Sequence, residues 1–480
     1  MFTRKALAHT IALLAATLAI GAGSAHAAQR PNIILMLSDD QTWLDIGPYG
    51  SKNVPTPNLD RLAREGMKFN LAFTATAMCA PTRQQLYTGL FPARSGGMPN
   101  HSVVREGTKS LVHYFTALGY RVGLTGKTHF GPPESFPFEV VGNKKSGTFT
   151  LVDLDAARAF IERDAEQPFF LVVASNSPHT PWTEGNAADF DPAKLEVLPY
   201  IADTPEVREM LTHYYAEITH LDGQAGALMG MLDEAGLTEN TIFIHTSEQG
   251  NSFPKSKWTL YDTGIHTGLI FRWPGHVAPG TQTDAMVQYV DVVPTLIEAA
   301  GGTPGDVDGK SFLAVLEGKA GEHREYAYGI HTNRGVIDGT DYPIRSIRTK
   351  QYKLIHNLMW EGEYGNILTG PQSSGILDAY RAAAGSGNEH AGDLIAGYIK
   401  RPEFELYDVQ KDPFEFTNLA DDPAYATVKA ELLAKLEAWM KEQGDEGVAT
   451  ELDAYNHMNP EVVKVLEEKY GQIVPKKDGE

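Results

Sequence analysis

Short, nearly uninterrupted apolar runs constrain this chain more than any other feature: Asn32–Leu37 (N-I-I-L-M-L), Pro168–Ala174 (P-F-F-L-V-V-A) and Thr241–His245 (T-I-F-I-H). They lack the alternation of a strand with one wet face and are short for helices, so they read as strands buried on both faces. Shorter strand signals lie at Lys68–Ala72 and Arg121–Thr125. Helical periodicity fills the intervals. One helix starts near Asn58, with Leu59, Leu62 and Ala63 on one face and Gly66 as its stop, and others cover Ser110–Leu118 and Asp153–Asp164. The strongest runs from Pro205 to Ala235, with Thr204 as N-cap, Gly236 as stop, and Val207, Met210, Tyr214, Ile218, Leu221, Leu228 and Leu232 on one buried face. Alternating strands and helices predict an α/β domain with a mostly parallel central sheet flanked by helices. In such sheets ligands bind beyond the carboxyl ends of the strands.

The residues at those ends carry chemistry. Asn32–Leu37 runs into Asp39 and Asp40, adjacent carboxylates that a divalent cation would compensate and that a solvated acidic turn would also explain. Arg121–Thr125 leads to Lys127 and His129, and the 168–174 run leads to His179. Thr241–His245 leads to Glu248 and Gln249, with Lys257 just beyond. Taken singly, each is an ordinary solvated or packed side chain. Taken jointly, they describe oxygen ligands for a metal, cationic clamps and imidazole acid/base groups.

Cys79 is the only cysteine of the 480 residues, so it forms no internal disulfide and is a buried small hydrophobe, an intermolecular linker or a reactive group. Pro81 two residues on suits the first turn of a helix, which places Cys79 at a helix entrance where backbone N–H groups favour an anion. Arg83, one turn further, adds a fixed charge with forked donors.

Arg4 and Lys5, an apolar run from Ala6 to about Ala22, and Ala25-His26-Ala27 read as a secretory signal peptide over 1–27. That predicts a periplasmic or secreted protein, and no later stretch is long enough for a stable membrane anchor. The net charge of −20 argues against nucleic acid as a partner while leaving room for a local basic pocket that takes a small anion.

The blocks I-L-M-L-S-D-D, C-A-P-T-R followed by L-Y-T-G, G-K-T-H, S-P-H, T-S-E-Q-G, K-W-T-L-Y-D and K-D-P-F-E-F-T-N-L-A resemble the formylglycine-dependent sulfatases of the alkaline phosphatase superfamily, from about Pro31 to about Gln443. Within that family the segments G-K-T-H-F-G-P-P-E-S-F-P-F, L-P-Y-I-A-D-T-P, N-S-F-P, Y-P-I-R-S-I-R and F-E-L-Y-D are most similar to the N-sulfoglucosamine sulfohydrolase branch.

The resemblance implies that a formylglycine-generating enzyme converts Cys79 to formylglycine before the chain folds, and that an oxygen of its hydrate attacks sulfur. It implies Asp39, Asp40, Glu248 and Gln249, with the modified Cys79, as ligands of one Ca²⁺, ahead of Mg²⁺. Arg83 would hold the hydrate, and Lys127, Lys257 and His179 would surround the sulfate. His179 would protonate the leaving group, and His129 would take a proton from the hydrate. Glu248-Gln249 departs from the Asp-Asn or Asp-His usual in the family, lengthening each side chain by one methylene. His245 stands where an apolar residue is usual and reads as a packed strand residue.

The chain divides into a catalytic domain over 28–303, a linker and crossover over 304–341, a smaller α+β domain with an antiparallel sheet over 342–443, and a tail over 444–480 with a mobile end. His101, Trp182 and His331, in loops around the site, are the candidates for substrate contact, Trp182 by stacking on a sugar. The expected reaction is hydrolysis of sulfate from a sulfated mono- or oligosaccharide at an O–S or N–S bond. The alternatives are a phosphonate or phosphate monoester hydrolase of the same superfamily and a non-catalytic binder of sulfated glycans.

Overall fold

The computed structural model describes residues 30–142, 150–370 and 375–470, so the expected signal peptide lies outside the described residues. A nine-stranded mixed sheet is built from β1 (Asn32–Ser38), β2 (Met67–Phe73), β3 (Arg121–Gly126), β4 (Glu139–Val140), β5 (Phe169–Ala174), β6 (Thr241–Ser247), β7 (His266–Arg272), β8 (Thr281–Thr283) and β9 (Val287–Gln288). Its order is β4-β3-β5-β1-β6-β7-β2-β8, with β9 also paired to β2. The central strands β3, β5, β1 and β6 are mutually parallel, whereas β7 is antiparallel to both β6 and β2. Two reversals leave β2 pointing the same way as β1.

Every residue of β1, β5 and β6 is buried, as apolar runs without alternation require. Side chains of opposite parity feed two cores. Ile33, Leu35 and Leu37 pack with Leu86, Phe115 and Leu296 on one face. Ile34 and Met36 pack with Leu59, Phe160 and Leu228 on the other. The sheet is thus sandwiched between helices. The long helix Pro205–Glu234 is capped by Thr204, whose hydroxyl accepts the Val207 N–H.

A second, antiparallel sheet has the order β10 (Ala327–His331), β11 (Ile344–Arg348), β12 (Tyr352–Asn357), β13 (Phe404–Asp408). Its first strand falls inside the stretch expected to be linker, because Ala327–His331 pairs with β11 over its whole length. One face carries Ile330, Ile347, Leu354 and Leu406 against Leu436 and Trp439 of the helix Ala426–Glu442. The other carries Ile344 and Tyr407 against Trp258, Tyr261 and Ile265, residues that directly follow Lys257. Two helices follow, Ile376–Gly385 and Glu389–Ile399, the second reaching this sheet's core through Tyr398. Their Ile376, Tyr380 and Leu394 join Tyr200, Leu211 and Tyr214 beside the long helix. The tail also docks: Asp445 pairs with buried Arg345, and Glu451 accepts a bond of 2.5 Å from the Thr332 hydroxyl.

Candidate active site

Parallel neighbours deliver their C-terminal ends to one edge. The ladder continues past the strands and pins the loops that follow: Glu248 N donates to Ser38 O (2.9 Å), Asp39 N to Ser177 O (3.1 Å) and Lys127 N to Ala174 O (2.9 Å). Asp39/Asp40, Lys127, His179 and Glu248/Gln249 are therefore brought together by backbone pairing. Cys79 arrives after β2 as the first residue of the helix Cys79–Thr88, all ten residues of which are buried. The expected helix entrance is where the structure places it, with Arg83 one turn on.

Cys79 Sγ lies 3.7 Å from Asp39 Oδ1 and 3.6 Å from Gln249 Nε2. Three cations face three carboxylates around it. Lys127 is bonded to Asp39, Lys257 Nζ lies 2.7 Å from Asp40 Oδ2, and Arg83 is paired with Glu248 while donating to Lys127 O at 3.1 Å. Burial alone would raise the Asp39 carboxyl, but Lys127, His179 and Arg83 outweigh it and hold Asp39 well below the usual range. Burial likewise acts against a thiolate at Cys79, yet Lys127 and Lys257 bring the thiol well below its ordinary value. Glu248 goes the other way: burial, with Asp39 and Cys79 close by, raises it despite Arg83.

Four metal-ligating groups converge here. Asp39, Asp40, Cys79 and His179 offer ligand atoms that lie within 4.8 Å of one another. Gln249 Nε2 sits among anionic groups, 2.6 Å from Asp40 Oδ1 and 3.2 Å from Glu248 Oε2, while its Oε1 is buried with no hydrogen-bond partner among the described residues. Exchanging the two atoms by rotation of the amide would turn an orphaned oxygen toward the carboxylates, which suits oxygen coordination.

His179 Nε2 is 3.6 Å from Asp40 Oδ2, and its Nδ1 is 2.5 Å from Thr180 O, so the Nδ1 proton is fixed and Nε2 faces the centre. Burial and Lys257 lower this imidazole, but Asp40, Asp39 and Cys79 raise it above its ordinary value. Burial, Lys127 and Arg83 hold the His129 imidazole well below its ordinary value. Its Nε2 lies 2.7 Å from His101 Nδ1, so His101 meets His129, and burial brings His101 down to about 3.

Two expected substrate residues are placed otherwise. His331 is fully buried in the second sheet, 3.0 Å from Asn333 Oδ1, and is linked toward the site's surroundings through Tyr364, whose hydroxyl donates to Trp258 O. Trp182 is half-buried, stacked on Phe253 at 6.1 Å, and its Nε1 donates to Pro178 O at 2.8 Å, so its ring packs the His179 loop. The fully buried His245 is the packed strand residue expected.

Sequence reasoning missed two supports. Ser252 donates to Asp40 Oδ2 at 2.6 Å, and the N-S-F-P segment that holds it signals the position. Glu217, on the long helix, accepts from Thr183 N and Glu184 N, both at 2.7 Å, and from the Ser177 hydroxyl at 2.5 Å, clamping both sides of His179. A single acid in an amphipathic pattern carries no such signal. A cavity of about 450 Å³ opens here, lined by Asp39, Asn176, His179 and Glu217.

The sulfatase family model matches residues 31–302 of the chain. The chain belongs to the sulfatase family. A second model, the C-terminal part of N-sulphoglucosamine sulphohydrolase, matches residues 253–366. This sulfatase is 35% identical over 428 residues to an ulvan-active sulfatase of Formosa agariphila, covering 87% of this chain and 81% of that protein. It is 28% identical to the N-sulphoglucosamine sulphohydrolase of Homo sapiens, over 87% of this chain and 91% of the other. Among solved structures, a protein in complex with its substrate D-glucosamine-2-N,6-O-disulfate shares the fold with a TM-score of 0.67 and 22% identity, covering 87% of this chain and 99% of that one. A phosphonate monoester hydrolase of Agrobacterium radiobacter shares it with the same TM-score, 0.67, and 20% identity, over 86% of this chain and 96% of the other.

Proposed function

We propose that this sulfatase removes sulfate from a sulfated sugar, with Cys79 converted to formylglycine and a divalent cation, Ca²⁺ ahead of Mg²⁺, held by Asp39, Asp40, Glu248 and Gln249. The observation that carries the reading is Cys79 at the mouth of a buried helix, ringed by three carboxylates and three cations. A formylglycine hydrate would supply the oxygen nucleophile, and the cation would supply positive charge beside it.

The chain's own residues do the rest. Lys127 and Lys257 face the position beside Cys79 and offset charge on the sulfate oxygens as the bond to the leaving group breaks. Arg83, locked by Glu248 and Lys127 O, orients the residue at position 79. His179 Nε2 carries the proton that the departing oxygen or nitrogen takes, and the raised basicity of His179 favours that protonated form. His129 accepts a proton, with its partner His101 fixing the ring. Cys79 is only 2% exposed, which supports maturation before folding. The apolar leader over 1–27 supports export to the periplasm or beyond; among the described residues no helix is long and apolar enough to cross a membrane.

The test has two arms. Mass spectrometry of the peptide holding Cys79, from protein made in its native host, should show the aldehyde in place of the thiol; a fully retained thiol refutes the mechanism. Sulfate release is then measured on glucosamine bearing N-sulfate or 6-O-sulfate, alongside the phosphate ester of one alcohol whose sulfate ester is also tested. A preference for phosphate would overturn the sulfatase reading in favour of a phosphomonoesterase.

A further inference from the structure

A cavity of about 630 Å³, within the roughly 300–1,000 Å³ range of ligand sites, lies between the loop that carries Lys255, the helix Glu389–Ile399 and β13. None of the catalytic candidates lines it. Lys255 and Lys257 share one loop, yet Lys257 reaches Asp40 while Lys255 faces this second space. Aromatic rings form much of its wall: Tyr261, Tyr398 and Tyr407 are buried, whereas Phe416 is 47% exposed at the rim.

Two cations have unspent donors here. The Lys255 ammonium makes one hydrogen bond among the described residues, to Glu415 O at 2.7 Å, and otherwise lies over the Tyr261 ring at 3.7 Å and the Phe416 ring at 5.1 Å. Arg401 is 3% exposed and stacks 4.1 Å from the Tyr364 centroid, and its Nη2 is buried with no hydrogen-bond partner among the described residues. Such a donor is costly to leave unmet, so it marks a place where an acceptor belongs. Of the acids that line the cavity, Glu405 and Glu415 are already engaged, whereas Asp393 on the helix is exposed. Glu405 accepts from the Tyr261 and Tyr407 hydroxyls at 2.6 Å each and from Asn357 at 2.8 Å, and Glu415 pairs with Lys353 at 3.1 Å. The unspent cationic donors belong to Lys255 and Arg401, and burial makes the Lys255 ammonium easier to deprotonate, to about 8, although Glu415 and Glu405 act against this.

We propose that this cavity is a second ligand site, distinct from the catalytic centre, for a sugar residue that bears a carboxylate or sulfate: the anion meets Lys255 and Arg401, and the ring stacks on Phe416. Aromatic faces bind the C–H side of a sugar while two cations select against neutral ones. Binding is read directly, so the proposal stands or falls independently of the reaction at Cys79.

Calorimetric titration of the full chain with glucuronate and glucose tests it, since neither carries a sulfate for the centre at Cys79. Glucuronate should saturate the site, with glucose much weaker. Lys255→Met and Phe416→Ala should each weaken the anionic sugar by about tenfold, the effect of one good contact, while turnover of 4-nitrophenyl sulfate is unchanged. Phe416 is exposed, so its variant tests the site even where Lys255→Met folds poorly. No saturable binding of glucuronate, or equal affinity in the wild type and the Phe416→Ala variant, would overturn the proposal.

Discussion

Replacing Glu217 by Ala removes a carboxylate that is 2% exposed and accepts from Thr183 N, Glu184 N and the Ser177 hydroxyl. Three donors are then left without their acceptor, at about 1–3 kcal/mol each, so the loss of stability should fall at roughly 3–6 kcal/mol once partial access of water is allowed for. Glu217→Gln keeps an acceptor oxygen for the two N–H groups and loses only the charge, for roughly 2 kcal/mol. The effect on catalysis follows from place: Glu217 holds the loop on both sides of His179, and a shift of about 1 Å in a reacting group costs on the order of 100-fold. The assay compares two sulfate esters, one with a leaving group that departs without a proton and one that needs it. If Glu217 acts by positioning His179, Glu217→Ala slows the second ester far more than the first, and Glu217→Gln recovers most of the difference. Equal slowing of both esters would refute the reasoning and leave Glu217 with a purely structural role.

Asp262 ties the catalytic domain to the second sheet through Arg348 (2.8 Å) and Lys353 (2.9 Å), and Asp262→Asn should cost roughly 3–5 kcal/mol in urea unfolding because buried Arg348 loses its carboxylate and Lys353 keeps only Glu415 of its two. Burial would raise this carboxyl, but Arg348 and Lys353 depress it, so its contribution is complete above the unfolded value of about 3.9 and is lost as the pH falls toward the lower native one; a stability profile flat across that acid range in the wild type contradicts this. His245 is fully buried with neither ring nitrogen partnered among the described residues, so His245→Leu should raise stability by about 1 kcal/mol, seen as a higher melting temperature. Exhaustive chelation should lower the melting temperature and abolish turnover, and Ca²⁺ at about 100 times its Kd should restore about 2.7 kcal/mol; a chelated protein of unchanged stability and activity would argue against the cation site.

The central sheet was legible because burial on both faces writes itself into composition: β1, β5 and β6 are runs in which nearly every residue is apolar. β7 shares that character in Gly268–Phe271 but carries no mark of its antiparallel direction, which depends on its partners β6 and β2. β10 was hidden in a stretch that reads as connection, since its pairing partner is a later strand. At the site, residues that end a strand or enter a helix were found, because those positions are local. The surroundings of His331 and Trp182 could not be read, because burial is not local: one is sealed by Asn333 and Tyr364, the other stacked on Phe253. Glu217 could not be found, since its three donors lie more than thirty residues upstream.

By itself the sequence determined the layered α/β architecture, the helix entrance at Cys79 and the kinds of side chain that follow each strand. Those depend on periodicity, caps and short spacing, which act between neighbours along the chain. Tertiary structure alone decided that these strand ends meet, that each acid has a particular cation, that Gln249 presents an orphaned oxygen, and that Lys255 turns away from Lys257 into a second cavity. The physical reason is that charge pairing, burial and hydrogen-bond satisfaction are set by groups far apart in the chain, and only the closed sheet brings them within reach of one another.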